Sequence, residues 1–361
     1  MSKRILNNWK RSSLSVVVVL GLLGLGLNSA NAQQDPYFTH YMFNKLQFNP
    51  GAAGAKDGVC IAGIFHTQWT GYEDQTFEYN SQDPNNPGSI PTGLGPKTTG
   101  IAIDGKVASL SRKIDLGMGL ALAQDNLGYE NNLKFRGAFS GIYNMTNGSS
   151  LALGIELGML QKGIDGTNFI FRQANDPNIP NTNVTKSNFN LAAGLYYVNP
   201  NVNDLYIGLS STNINEKDFD YANNNGTFSN RSKRHFYLLA GMTMPNFLGN
   251  PSLELMPSLL LKNANTTQVT LSGLVEYSNT FSGGLGYRSE LDAISVLLGY
   301  KVTPELRIGY SYDVSLNALR KFQGGSHEFQ INYCFTVPAK PADKPNIELT
   351  PRFLNKDPDI F

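Results

Sequence analysis

"SSLALGIELGMLQK", residues 149–162, decides the fold. Along an extended chain, Leu151, Leu153, Ile155, Leu157 and Met159 fall on one face. Ala152, Gly154, Glu156, Gly158 and Leu160 fall on the other. Side chains of a strand alternate with a period of two, so one face is large and apolar and its opposite is small or polar. "LRIGYSYDV" (306–314) repeats the pattern, with Leu306, Ile308, Tyr310 and Tyr312 set against Arg307, Gly309, Ser311 and Asp313. A wall between lipid and a polar interior needs that arrangement. A soluble sandwich would bury its apolar face and project long charged residues from the other. Here the polar face is mostly Gly, Ser and Asn.

Working outward, segments of this kind occur at 59–69, 98–108, 115–125, 131–144, 149–162, 187–198 and 204–212. Others follow at 233–244, 252–262, 267–278, 281–289, 292–302, 305–314 and 326–335. They predict an all-β, transmembrane antiparallel up-and-down β-barrel of about 14 strands over residues 58–336. The gaps between them give an independent test. The long ones, 70–97, 163–186, 213–232 and 315–325, all follow odd-numbered strands. Links after even-numbered strands are short, as in "TNG" near 146, "NPN" near 200, "PNFLGN" near 245 and "TP" near 303. Outer-membrane barrels have long outer loops and short periplasmic turns, so the short links are expected to face the periplasm.

Composition agrees with export to a membrane. Charged residues make up 16 % of the chain, against about 25 % in typical soluble domains, while Gly (36), Phe (20) and Tyr (17) are plentiful. Residues 1–32 read as a signal peptide. Lys3, Arg4, Lys10 and Arg11 precede an apolar run from Leu14 to Leu27, and Ala30 and Ala32 mark a cleavage site before Gln33. The apolar run falls short of the ~20 residues of a spanning helix. Without this segment the chain carries 25 Lys and Arg against 28 Asp and Glu, so no basic face for nucleic acid is expected. The outer-membrane location carries outer-membrane lipid with it as the surrounding partner.

The two ends of the mature chain depart from the barrel pattern. In the last strand Phe329, Ile331, Tyr333 and Phe335 alternate and end in an aromatic, which is similar to a barrel-assembly signal. The Pro-rich residues 337–361 read as a periplasmic tail. Residues 33–57 read as a periplasmic N-terminal segment. Within "QQDPYFTHYMFNKLQFNPGAAG" (33–54), Asp35 and Pro36 form a helix start. Phe38, Met42 and Leu46 recur at helical spacing, and Asn49-Pro50-Gly51 ends the run. A short amphipathic helix is expected, which plugs the lower mouth, lies on the rim or docks a periplasmic protein.

Cys60, near the start of the first strand, and Cys334, near the end of the last, are the only cysteines. Barrel closure makes those strands neighbours, and alternation points both side chains inward. Two readings follow: a disulfide stapling the seam, or two small interior residues that never bond. His40, His66, His235 and His327 have no metal-ligand neighbours at helical spacing. No Ser lies in a G-x-S-x-G elbow, and Gly93-Leu94-Gly95 lacks the rest of a phosphate loop. No enzyme, cofactor or metal site is expected.

The signature "QDPYFTHYMFNKLQFNPGAAG" resembles the N-terminus of the PorP/SprF family of type IX secretion system membrane proteins. "TQWTGY" (67–72), "NFNLAAGLYYV" (188–198), "GYRSELDAISVLLGY" (286–300), "LRIGYSYDVSL" (306–316) and "GSHEFQINYCF" (325–335) extend the resemblance in order along the chain. "NPGAAG" stands where the family more often has "NPAYAG", and "MTMPNFLGN" departs from its usual wording. The resemblance implies an outer-membrane barrel that assists export or surface attachment of particular proteins, gliding adhesins among them. It implies type IX secretion or gliding machinery components, exported surface proteins and periplasmic peptidoglycan-associated proteins as partners, and no catalytic residues. Asp35, Pro36, Phe38, Tyr41, Met42, Phe43, Asn44, Asn49, Pro50 and Gly54 carry the signature, with a plug or docking role. A passive channel or small-molecule transporter, and a scaffold between outer membrane and periplasm, are the competing readings.

Overall fold

The structure, a computed structural model, describes residues 35–71, 78–79, 87–89, 95–168, 182–223, 226–264, 266–289, 292–321 and 323–336. The expected signal peptide, its cleavage residues Ala32 and Gln33, and the tail 337–361 lie outside these residues. The barrel strands are β1 (Val59–Thr67), β2 (Lys97–Ser111), β3 (Ile114–Leu127), β4 (Glu130–Asn144), β5 (Ser150–Asp165), β6 (Asn183–Asn199) and β7 (Leu205–Thr212). They continue with β8 (His235–Gly241), β9 (Leu253–Asn263), β10 (Thr267–Tyr277), β11 (Phe281–Arg288), β12 (Ala293–Lys301), β13 (Leu306–Ser315) and β14 (Ser326–Phe335). Each pairs antiparallel with its neighbours in sequence, and β1 pairs with β14 to close the ring. Closure leaves no sheet edge to be satisfied in lipid.

Alternation survives in three dimensions. Leu151, Leu153, Ile155, Leu157 and Met159 turn outward, between 39 and 61 % exposed, while Ala152, Glu156 and Leu160 are buried inside. Phe329, Ile331, Tyr333 and Phe335 likewise face outward. Such an apolar exterior is stable only against hydrocarbon. The links after even-numbered strands are short except 242–252, which holds a two-residue strand, Met244–Pro245, and a 3-10 turn, Phe247–Gly249, and the longest connections gather at the opposite end of the barrel.

Sequence periodicity missed two pairings there. The stretch 213–232, expected as a loop, contains a hairpin of Asp218–Asn223 and Gly226–Arg231. Its Phe219 and Tyr221 pack on Leu160 and Ile164 of β5 and Val184 of β6, inside the barrel wall. Two short strands, Glu78–Tyr79 and Pro87–Ser89, pair in the first long connection.

The expected N-terminal helix is not formed. Three single 3-10 turns, Tyr41–Phe43, Lys45–Gln47 and Pro50–Ala52, take its place. The residues that precede the three turns are His40, Asn44 and Asn49, not Asp35, and Asn49 starts the last turn instead of ending a helix, its side chain accepting a hydrogen bond from Gly51 N at 2.8 Å. The physical reason is where the segment lies. It is enclosed by the barrel, so Phe38, Tyr41, Met42, Leu46 and Phe48 are all buried and no solvent face remains. Wall side chains take over the backbone groups that a helix would satisfy within itself.

Candidate functional site: a filled lumen

From Asp35 the chain runs down the lumen from the long-loop end to the short-turn end, where Gly58 leads into β1. Near the long-loop end Asp35 forms an ion pair with Lys134 and accepts a hydrogen bond from Tyr237 Oη at 2.9 Å. Its backbone carbonyl accepts one from Lys262 Nζ at 2.7 Å. The ring of Tyr37 lies between two cations, with Lys262 Nζ 4.6 Å and the Arg288 guanidinium 4.7 Å from its centroid.

Midway, Glu328 on β14 is the main anchor. Its carboxylate accepts from Thr39 N (2.7 Å), His40 N (2.8 Å) and His40 Nδ1 (2.7 Å), all buried. Thr39 Oγ1 donates to the Asp313 carboxylate, which also pairs with Arg288. On the opposite wall Tyr41 Oη donates to Ser258 Oγ at 3.1 Å. Phe38, Phe48 and Tyr237 stack edge to face at 6.1 and 5.6 Å, within the apolar cluster that also holds Met42.

Lower down, Arg136 on β4 binds Gln47 through both its backbone and its side chain, and pairs with Glu156 at 3.5 Å. Ser210 Oγ donates to Phe48 O at 2.6 Å, and Asn332 Nδ2 donates to Phe43 O at 3.1 Å. Asn49 Nδ2 reaches the carbonyls of Leu195 (2.9 Å) and Leu209 (3.2 Å). Pro50 and Gly51 lie so close to Gly154 of β5 that no side chain fits there. Ser140 Oγ donates to Ala53 O at 2.6 Å, and Gly54 N donates to Asp104 Oδ2 at 3.0 Å.

The signature residues thus converge on one feature, a plug bonded to strands all round the barrel. Buried charges in the wall are paired or hydrogen-bonded, as burial demands. Glu276, Lys301 and Arg307 form one such group, with Lys301 Nζ 2.6 Å from the Glu276 carboxylate. Sequence reasoning passed over Glu328, Arg136, Asp313 and Lys262. For Glu328, Arg136 and Asp313 the signal was present, a charged residue on an inward face of mostly small or polar residues; Lys262 shares its face with Met256 and Leu260 and offers no such contrast.

At the seam Cys60 stands opposite Cys334 in register, with Cα atoms 4.1 Å apart and the sulfurs joined in a disulfide. Of the histidines, His40 binds Glu328, His66 binds the Tyr37 carbonyl, His235 meets Asn213, and His327 pairs with Tyr310. Among the described residues no group of three or more His, Cys, Asp or Glu is placed to hold a metal ion.

Residues 30–333 match the model of a family described as "Type IX secretion system membrane protein PorP/SprF". No curated protein sequence matches the chain. Among solved structures, the Acinetobacter baumannii outer membrane protein Omp33 is similar at 6 % identity and a TM-score of 0.40, over 78 % of this chain and 100 % of that one. A Pseudomonas aeruginosa FadL homologue is similar at 12 % identity and a TM-score of 0.44, over 83 % and 95 % of the two chains. The Ralstonia pickettii toluene transporter TbuX is similar at 11 % identity and a TM-score of 0.44, over 80 % and 91 %. The family match spans the lumen-filling signature and nearly the whole barrel, and the chain belongs to the PorP/SprF family of type IX secretion system membrane proteins.

Proposed function

We propose that the chain is a non-enzymatic accessory barrel of type IX secretion that assists export or surface attachment of specific partner proteins, gliding adhesins being candidates. Its short turns face the periplasm and its long loops face outward. At the periplasmic face it meets secretion or gliding machinery components and peptidoglycan-associated proteins, with the tail 337–361 on the same side. The observation that carries this reading is the filled lumen. A transporter keeps a path for its solute, whereas here residues 35–54 are bonded to β2, β4, β6, β7, β9, β13 and β14. Those bonds belong to a barrel that presents surfaces to other proteins.

Affinity recovery of the intact protein from detergent-solubilised membranes tests the proposal. Co-recovery of type IX components, or of one large surface protein, is expected. Recovery of the barrel alone under several mild detergents would remove the support for an accessory role.

A further inference from the structure

At the long-loop end β6 overhangs its neighbour. β5 pairs with β6 from Asn183 to Val198, but β7 pairs with it only from Ala193 to Asn199. Over Asn183–Ala192 β6 therefore has a ladder on one side alone. The cause lies at the end of β7. Asn213 turns the chain into the lumen with φ +51°, and its side chain is held by Asn190 and by Lys233 O. Beyond it Ile214 N donates to Leu191 O at 3.0 Å. The Asn215 carboxamide then stands in for one more peptide group, accepting from Leu191 N at 3.3 Å and donating to Phe189 O at 2.6 Å. The bonds stop where the apolar belt stops. Phe189 is the last apolar residue on the outward face of β6, and Ser187, Thr185 and Asn183 beyond it are exposed. Backbone groups within hydrocarbon need protein partners, whereas those beyond it bond to water.

The bonds of Leu191 and Phe189 show that odd-numbered residues aim their backbone groups at the side β7 has left. Asn183, Thr185 and Ser187 thus each offer an N–H and a C=O there, and among the described residues nothing bonds to them. Proteins blunt such edges with bulges, proline or charge. β2 is treated that way, since its overhang Lys106–Ser111 at the other end carries two register shifts. β6 has neither shift nor proline over Asn183–Ser187, and a single lysine. That residue, Lys186, stands directly across from Lys162. Asn230 links Lys162 to Glu130, while among the described residues no carboxylate pairs with Lys186. Like charges directly opposite each other weaken a sheet.

We propose that this edge takes up an extended acidic segment of an exported surface protein as an added antiparallel strand. The segment lies where β7 would have continued, and its backbone completes Asn183, Thr185 and Ser187. Five residues span about 17 Å. That length places an acidic residue beside Lys186 on the inner face and β-branched residues beside Thr185 and Ser187 on the outer one. The identity of the partner rests on the secretion role proposed above; the open edge does not.

The test uses the full mature chain in detergent. A fluorescent peptide alternating threonine and glutamate is titrated and followed by anisotropy. In an antiparallel pair the threonines beside Thr185 and Ser187 face β6 with their backbone and the glutamates face away. N-methylation of the threonines should therefore weaken binding about tenfold or more, and N-methylation of the glutamates should not. Thr185→Pro removes one edge donor and no bond to β5, and should lose binding while the barrel melts as before. Amide exchange at Thr185 and Ser187 should be fast in the free protein and slow with the peptide bound. Slow exchange in the free protein would mean that the chain already covers its own edge. That result, equal effects of the two methylations, no binding at all, or unchanged binding by Thr185→Pro would each overturn the proposal. So would a doubled mass that Thr185→Pro abolishes, because the edge would then pair two copies. In the recovery experiment above, Thr185→Pro should lose the large surface protein and keep the type IX components. Unchanged recovery of both would overturn the partner assigned here and leave the secretion role standing.

Discussion

Gly54→Ala is the most discriminating perturbation of the plug. Gly54 has φ +67°, and a methyl group there would stand 2.7 Å from Gly117 Cα and 2.9 Å from Gly105 O. Both are strand backbone atoms and cannot rotate away. The left-handed conformation costs alanine about 1 kcal/mol, and forced overpacking adds roughly 1–3 kcal/mol. The segment can escape only by lifting off, which gives up the Gly54–Asp104 and Ser140–Ala53 hydrogen bonds. The wild type gives up the same bonds on unseating, so the strain alone sets the change at about 3 kcal/mol, or on the order of a hundredfold rise in the unseated population. Gly128→Ala is the control. Gly128 has φ +62° with nothing within 4 Å of a methyl group, so it bears only the backbone term. In planar bilayers Gly54→Ala should show openings on the order of a hundred times as often as the wild type, and protease should cut within residues 35–56. Indistinguishable records for the two variants would refute the seating of the plug.

Other expectations follow from single contacts. Glu328→Gln places an amide opposite the Thr39 and His40 donors, so the loss of charge-assisted hydrogen bonds should destabilise the plugged state by about 2–4 kcal/mol. Protease sensitivity of the N-terminal segment would report it, and wild-type resistance would count against that anchor. Cys60→Ser with Cys334→Ser opens a link between residues 274 apart in sequence and should lower stability by about 2–4 kcal/mol. Mass mapping without reductant should find no free thiol in the wild type, and two free thiols would contradict the staple. Glu276→Gln strands Arg307 and Lys301 without their buried carboxylate and should cost about 3–5 kcal/mol in thermal unfolding. A neutral result would mean water solvates the group.

The barrel was legible because lipid imposes one simple rule on every strand. Leu151 to Met159 carry that rule in five alternate residues, and β1 and β14 carry enough of it to set Cys60 against Cys334. Strand ends were less legible, since β2 and β6 continue past the apolar belt where the rule no longer applies. The hairpin Asp218–Arg231 escaped notice although "NNNG" between Tyr221 and Phe228 is hairpin chemistry. Its Phe219 and Tyr221 pack on lumen residues, so they lack the belt's alternation. The signature misled in a more instructive way. Asp35-Pro36 and the spacing of Phe38, Met42 and Leu46 describe a helix with one wet face, but a segment walled in on all sides has none. Its backbone bonds to Glu328, Arg136 and Ser210 replaced the helical ones, and no local sequence rule contains those partners.

A plugged barrel that serves other proteins, as proposed, leaves solute uptake to other routes. The most direct measurement compares the proteins exposed at the surface of cells lacking the chain with those of cells in which it is restored. Loss of one or a few large surface proteins, recovered on restoration and with solute uptake unchanged, is the predicted result. An unchanged set of surface proteins together with impaired uptake of a small solute would contradict it.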